Sequence, residues 1–159
     1  MSAEPVPPSR PAMGGAGPAG SASPGPRSAR SREFRRILSE MLRIDRVRGG
    51  LVVAADGLVI ASSLPRGIAI EPIAALAATL GRELEVGADR LKRSPFTTAL
   101  FSADDGTVFL GSSPVGFVVV LGDREVNVGL VQWALRKALA TLEGSWGHRD
   151  QVPASPEEM

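Results

Sequence analysis

The sequence is poor in the residues that most often carry chemistry. Its 159 residues include no cysteine, no tyrosine and a single histidine, His148, near the C terminus. The lack of cysteine excludes disulfides, thiolate catalysis and cysteine-based zinc sites. Without a histidine in the central part of the chain, a Ser-His-Asp arrangement cannot form there. We therefore expect no metal, no cofactor and no enzymatic activity.

Nucleotide-binding and membrane-spanning patterns are also missing. No Walker A motif occurs, and a formal GxGxxG at Gly15, Gly17 and Gly20 follows no predicted strand and precedes no predicted helix. The chain has no run of 18 apolar residues and no charged-then-apolar start typical of a signal peptide. These absences predict a cytoplasmic protein that does not insert into a membrane.

Charge and proline content divide the chain into three parts. Residues 1–32 contain seven of the thirteen prolines, and residues 147–159 are also proline-containing and polar, so we expect both tails to be disordered. The domain between them, residues 33–146, carries thirteen charges of each sign. A neutral domain of this kind argues against a dedicated nucleic-acid binder, which normally has a basic face.

The domain begins with a predicted helix and a hairpin. An amphipathic stripe predicts a helix that is capped by Ser31 and ends near Val47; it comprises Phe34, Ile37, Leu38, Met41 and Leu42. Two apolar runs, 51–55 and 58–62, flank Asp56-Gly57 and predict a hairpin with a type I′ turn. The first run is apolar on both faces, so we expect this hairpin in the middle of a layered domain.

A second helix, opening near Pro72, has two unlike sides. Its predicted core stripe consists of Ile73, Leu76, Ala77, Leu80 and Leu84. The opposite side is small and flat, and consists of Ala74, Ala75, Ala78, Gly81 at the margin, Arg82 and Glu85. Small outward residues permit close approach of another backbone, although alanine is also simply a good helix former.

Three strands and a last helix complete the domain. The strands, 96–102, 107–112 and 117–121, are joined by hairpin-length turns and form an antiparallel meander. The helix starts at the N-cap Asn127, and its core stripe comprises Val128, Val131, Ala134, Leu135, Ala138 and Leu142. Trp133 falls off this stripe, and either packs against the first helix or is exposed as an anchor for a partner.

The first strand of the meander, "FTTALFSA", predicts a homodimer. It is a natural sheet edge without charge, and proline occurs only before its start. A bare edge is prone to aggregation unless it is covered, so symmetric pairing with a second copy is the economical solution. The turn and cap positions of Asp56, Asp104, Asp105 and Asp123 do not suggest a catalytic pair.

Taken together, the segments "VRGGLVVAADGLVIASS", "PIAALAATLGREL" and "NVGLVQWALRKAL" resemble the Roadblock / dynein light chain domain family, over Arg32 to Glu143. The resemblance implies an α/β (α+β) fold of three layers. Its five-stranded antiparallel sheet has the first and last helices on one face and the middle helix on the other. It also implies dimerisation through the third strands and middle helices, here through Ala74, Ala78, Gly81, Phe96, Thr98 and Leu100.

Bacterial members of this family commonly work beside small Ras-like GTPases. The resemblance therefore implies a homodimeric, non-enzymatic module that binds such a GTPase through Ala75, Arg82, Glu85 and Trp133. Arg66 and Arg82 are equal candidates for an arginine finger. Two alternatives stay open: a small-molecule sensor and a purely structural subunit of a larger assembly.

Overall fold

The computed structural model describes residues 26–147, together with residues 3 and 5. The GxGxxG motif, His148 and residues 148–159 of the predicted C-terminal tail lie outside the described residues. Within residues 26–147 the elements are α1 Pro26–Leu42, β1 Val47–Ala54, β2 Val59–Ser63, α2 Ile70–Arg90, β3 Thr98–Ala103, β4 Gly106–Ser113, β5 Gly116–Asp123 and α3 Val128–Gly147. None of the helices in this range combines the length and apolarity that a membrane span requires.

The strands form one antiparallel sheet in the order β2-β1-β5-β4-β3. One apolar cluster joins α1 and α3 to one face of the sheet, and a second joins α2 to the other face. This is the predicted three-layer arrangement of the Roadblock-like fold, and the prediction is confirmed.

Strand β1 shows why the sheet needs helices on both faces. Val52 belongs to the cluster under α1 and α3, whereas Leu51 and Val53 belong to the cluster under α2. All three are fully buried, and burying one such side chain contributes about 1.5–3 kcal/mol. The expectation of cover on both faces is correct for β1. The hairpin as a whole is not central, because β2 forms an edge of the sheet.

Helix α1 is displaced from its predicted bounds at both ends. It begins at Pro26, so Ser31 is an interior residue rather than its N-cap, and residues 26–32 belong to the helix rather than to the tail. Beyond Pro26 no further proline interrupts the chain before β1, so the helix extends upstream of its apolar stripe. It ends at Leu42, and Arg46, with φ +70°, turns the chain into β1. Gly49 and Gly50 lie within that strand.

The hairpin turn is not type I′. The Ala54 amide donates to the Leu58 carbonyl at 2.8 Å and the Gly57 amide donates to the Ala54 carbonyl at 2.9 Å, which encloses a loop of three residues. In this loop only Gly57 has positive φ, +91°, whereas a type I′ turn needs two such residues. Asp56 instead accepts the Leu58 N–H at 3.0 Å, which confirms it as a turn residue.

The meander and the last helix follow the predictions closely. Strands β3, β4 and β5 pair in sequence order, and β3 is the sheet edge opposite β2. The Asn127 side chain accepts the Leu130 N–H at 3.0 Å, which confirms it as the N-cap of α3. The buried face of α3 includes Val131, Leu135, Ala138, Leu139 and Leu142.

Candidate interaction surface

The β3 edge is open along its length in the described chain. One side of the strand pairs with β4, and no described strand pairs with the other side. Leu100 is 38% exposed and points to the α1 and α3 face, because it pairs with buried Phe109. Phe101 is 43% exposed and points to the α2 face, as does the neighbouring Val108. Both faces of this edge therefore expose apolar side chains.

Two further predicted interface residues lie at the start of this edge. The Phe96 ring stacks on Phe117, with ring centroids 6.3 Å apart, and is partly buried against the α2 cluster. Thr98 is partly buried, and among the described residues its Oγ1 is a buried oxygen without a hydrogen-bond partner. Leaving a buried hydroxyl unsatisfied costs about 1–3 kcal/mol.

Helix α2 is rotated about its axis from the predicted orientation, so that part of the predicted outward side lies on the sheet. Ala74, Ala78 and Gly81, assigned by the sequence to an outward dimer face, are buried against the sheet, together with Ala77. Leu76, assigned to the core, is 58% exposed. The expectation that the small side points outward is therefore wrong for Ala74, Ala78 and Gly81, whereas Ala75, Arg82 and Glu85 are exposed as predicted.

The reason for this orientation is the bulk of the sheet beneath the helix. A Cβ atom built on Gly81 would overlap the Phe117 ring, so only glycine permits the observed approach. Large side chains from the strands, including Leu51, Leu110 and Phe117, fill the layer, and the helix contributes small ones. Hydrophobic periodicity alone could not choose between a large apolar face and a small one, because both are apolar.

The larger side chains of α2 form an apolar flank on its other side. Ala75 and Arg82 line a cleft with Asp56 and Gly57, so that side of the helix faces the β1–β2 hairpin. By helical period the apolar flank lies on the opposite side; it comprises Ile73, Leu76, Leu80 and Leu84. Ile73, Leu80 and Leu84 are half-buried and pack on the same cluster as Phe96, Ala99 and Leu121. The flank therefore lies on the β3 side of the helix.

The predicted partner-binding residues do not form one site. Ala75, Arg82 and Glu85 are exposed on α2, and Arg66 is exposed in the loop before this helix. Trp133 is 61% exposed on α3, on the other face of the sheet. One small surface cannot include both Arg82 and Trp133.

Trp133 borders a groove between α1 and α3, here termed the α1–α3 groove, of about 450 Å³. The groove is lined by Arg36, Glu40, Met41, Ile44, Leu130, Trp133, Ala134, Lys137, Ala138 and Thr141. The Lys137 Nζ lies 5.0 Å from the centroid of the Trp133 ring, a cation–π contact. Of the two open interpretations, exposure on the surface describes Trp133 better than packing against α1.

The structure contains an ionic cluster at the end of β5 that the sequence did not predict. Asp123 accepts hydrogen bonds from Arg48 at 2.6 Å and 3.1 Å and from the Glu125 amide at 3.2 Å. Arg46 lies 3.7 Å from Asp123 and 3.1 Å from Glu125. Since Arg48 and Asp123 are 75 residues apart in the chain, no local pattern could reveal this pairing.

The cluster shifts the acidity of its central carboxylate. Partial desolvation raises the pKa of Asp123, but the hydrogen bonds from Arg48 and the Glu125 amide, with the charges of Arg48 and Arg46, outweigh it. The pKa of Asp123 therefore lies below its ordinary value of 3.8. Because the Asp123 amide also donates to the Arg46 carbonyl at 2.9 Å, the cluster holds the α1–β1 turn against β5. Among the described residues, no group of three or more histidine and acidic side chains could hold a metal ion.

A three-layer α/β domain with an uncovered sheet edge beside an exposed apolar helix flank belongs to the class of protein-interaction domains. A family model described as Roadblock/LC7 domain matches residues 33–121, more than half of the chain. The chain belongs to the Roadblock/LC7 family, which confirms the resemblance seen in the sequence.

Individual proteins agree with this assignment. An uncharacterised protein of Methanocaldococcus jannaschii is 33% identical over 103 residues, covering 65% of this chain and 87% of that protein. Myxococcus xanthus MglB has the same fold, with a TM-score of 0.68 at 16% identity, covering 74% of this chain and 90% of its own. A structure of MglB with tetrameric arrangement has a TM-score of 0.63 at 20% identity, covering 74% and 88%.

Proposed function

We propose that this protein is a homodimeric interaction module that binds and regulates a small Ras-like GTPase. The observation that carries the proposal is the open β3 edge beside the apolar flank of α2, in a member of the Roadblock/LC7 family. Domains of this family are generally adaptors or regulators rather than catalysts.

The dimer forms by antiparallel pairing of β3 with β3 of a second copy. A two-fold axis at this edge makes the contact self-complementary, and the open edge of β3 is then paired in both copies. Phe96, Thr98 and Leu100 stay in the proposed interface. On α2, we assign the dimer contact to Ile73, Leu76, Leu80 and Leu84. The predicted Ala74, Ala78 and Gly81 are buried and cannot form it.

Higher assembly of a related fold supports an oligomeric protein. The MglB structure with tetrameric arrangement shows that a protein of this fold forms assemblies. For this chain we propose the dimer alone, because the α2 flank and the β3 edge lie side by side and a single two-fold contact covers both.

The GTPase contact is proposed on the hairpin side of α2, at Ala75, Arg82 and Glu85. All three are exposed, and the Arg82 side chain borders the cleft beside the Asp56-Gly57 turn. GTP hydrolysis depends on the positions of the attacking water and of charge near the γ-phosphate. The module acts by repositioning the partner's own switch residues. Direct insertion of an arginine is a second route, for which Arg66 and Arg82, both exposed, are the candidates.

The test is the GTPase encoded beside this gene, if there is one, or a panel of small Ras-like GTPases from the same organism. We expect co-elution in size exclusion that depends on the bound nucleotide, and a changed rate of GTP hydrolysis when this protein is added. Binding with an unchanged rate would favour the purely structural subunit. No binding in either nucleotide state would overturn the proposal.

A further inference from the structure

We infer that the α1–α3 groove is a second docking site, which binds an amphipathic helix of a partner protein whose apolar stripe is flanked by acidic residues. The site is independent of the proposed GTPase contact, because the sheet separates α1 and α3 from α2.

The groove has an apolar floor and an aromatic wall. Met41 and Ala138 are buried on its floor, while Leu130, 45% exposed, and Trp133 stand on the α3 side. Tryptophan is one of the side chains enriched at the energetic centres of protein interfaces. The Lys137 ammonium lies over its ring, 5.0 Å from the centroid.

The shape of the groove fits a helix. Its walls are two helices, and its α3 wall presents side chains at intervals of three and four residues, at 130, 133, 134, 137, 138 and 141. A third helix that lays its apolar stripe between two others makes contacts at the same intervals, as in other helix-in-groove complexes.

Charge selects an acidic partner. Arg36 lines the α1 side and Lys137 the α3 side, so cations stand on both walls. Glu40 is the carboxylate among the described lining residues, and it is paired with Arg36 at 3.6 Å. Lys137 has no described carboxylate within ion-pair distance. Acidic residues beside the apolar stripe of the partner would pair with these two cations.

The experiment uses the full chain and two designed helical peptides. Both carry leucines on one stripe; one has glutamates on the flanks of the stripe and the other has lysines at the same positions. Binding is measured by calorimetry and by anisotropy of labelled peptide. We expect the glutamate peptide to bind at least about tenfold more tightly, since Arg36 and Lys137 attract glutamates and repel lysines, each by a small factor.

Variants locate the contact. Trp133→Ala should weaken binding of the glutamate peptide about tenfold or more, and Trp133→Phe should restore part of it. The double reversal Arg36→Glu with Lys137→Glu should invert the preference between the peptides. Arg90→Glu, an exposed cation on α2 on the other face of the sheet, is the matched control and should leave the affinity for both peptides unchanged. Thermal unfolding of each variant checks the fold.

Three results would overturn the inference. The first is equal affinity for the two peptides, and the second is the absence of saturable binding. The third is a change in the sedimenting mass of the protein alone with Trp133→Ala, which would make the groove an interface between copies. None of these results bears on GTP hydrolysis, so the proposed function stands or fails separately.

Discussion

Among the single residues, Gly81 decides how close α2 lies to the sheet. Its missing side chain leaves room for the Phe117 ring, which stacks in turn on Phe96. A glycine inside a helix normally weakens it by about 0.5–1 kcal/mol relative to alanine. Here the close approach offsets that cost, because it lets α2 pack directly on the buried Phe117 ring.

We predict that Gly81→Ala destabilises the protein, by up to about 2 kcal/mol net. Overpacking of a core costs about 1–3 kcal/mol, against which the gain in helix propensity is subtracted. Gly87→Ala in the same helix is the control. Nothing lies within 4 Å of a Cβ built there, so this change should stabilise by up to about 1 kcal/mol. Urea unfolding of both variants measures the difference, and equal effects would contradict the argument.

Asp123 gives a prediction for pH dependence. Its folded-state pKa lies below its ordinary value, so its contribution to stability is fully present above that value and is lost as pH falls through the folded pKa. Asp123→Asn should therefore lower the free energy of unfolding at neutral pH. The difference in free energy of unfolding between this variant and the wild type should disappear in strongly acidic solution.

The control for this residue is Asp45→Asn. The Asp45 side chain is 98% exposed and lies 3.9 Å from Arg46, so its loss should have almost no effect at any pH. Chemical unfolding across a pH series compares the two variants. A gap between Asp123→Asn and wild type that persists unchanged at acidic pH would show that the carboxylate charge is not the cause.

At the scale of elements, α2 and β3 carry the proposed dimer contact. Substitutions on the exposed side of α2 should break the dimer, whereas substitutions on its buried side should unfold the protein. Leu76→Lys and Leu100→Lys should convert the dimer to monomer without unfolding it, because both side chains are exposed in a single copy. Ala78→Lys should instead unfold the protein, since it places a charge in the buried layer. Analytical ultracentrifugation and circular dichroism separate these outcomes.

Leu58→Lys is the matched control for the dimer prediction. Leu58 is also a large exposed aliphatic residue, but it lies in the β1–β2 hairpin, away from β3. It should leave the mass unchanged. A wild-type chain that sediments as a monomer at micromolar concentration would refute pairing at β3.

For the whole molecule, the sheet separates two faces that should act independently. Arg82→Glu should weaken the proposed GTPase contact and leave the α1–α3 groove intact. Trp133→Ala should weaken peptide binding in the α1–α3 groove and leave the GTPase contact intact. The sequence had placed Trp133 in the same partner-binding set as Arg82. Binding assays on each variant with both partners check this. Loss of GTPase binding in both variants would mean that a single partner spans the two faces.

Much of the fold was predictable because it depends on local periodicity. The stripe of α1, the Asp56-Gly57 turn, the Asn127 cap and the order of the meander each depend on residues a few positions apart. The bounds of α1 were wrong, because Gly49 and Gly50 suggest a helix stop in sequence but serve close packing in β1. There a Cβ on Gly49 would lie 2.8 Å from the Ser63 carbonyl.

The site was less predictable, since it depends on contacts between distant elements. The uncovered edge at β3 follows from its lack of charge and its place at the start of the meander. The rotation of α2 follows from Phe117, which is far away in the chain, so periodicity alone assigned the wrong face. The ionic cluster around Asp123 depends likewise on the pairing of β1 with β5.

The amino-acid sequence by itself determined the family, the order of the helices and strands, the need for cover on both faces of β1, and the exposure of β3. These follow from local patterns of apolar side chains and turn residues. The tertiary structure alone decided which face of α2 is free and that Arg82 and Trp133 lie on opposite faces. The reason is physical: a helix with two apolar faces settles on the one that packs closest, and only the sheet beneath it determines which face that is.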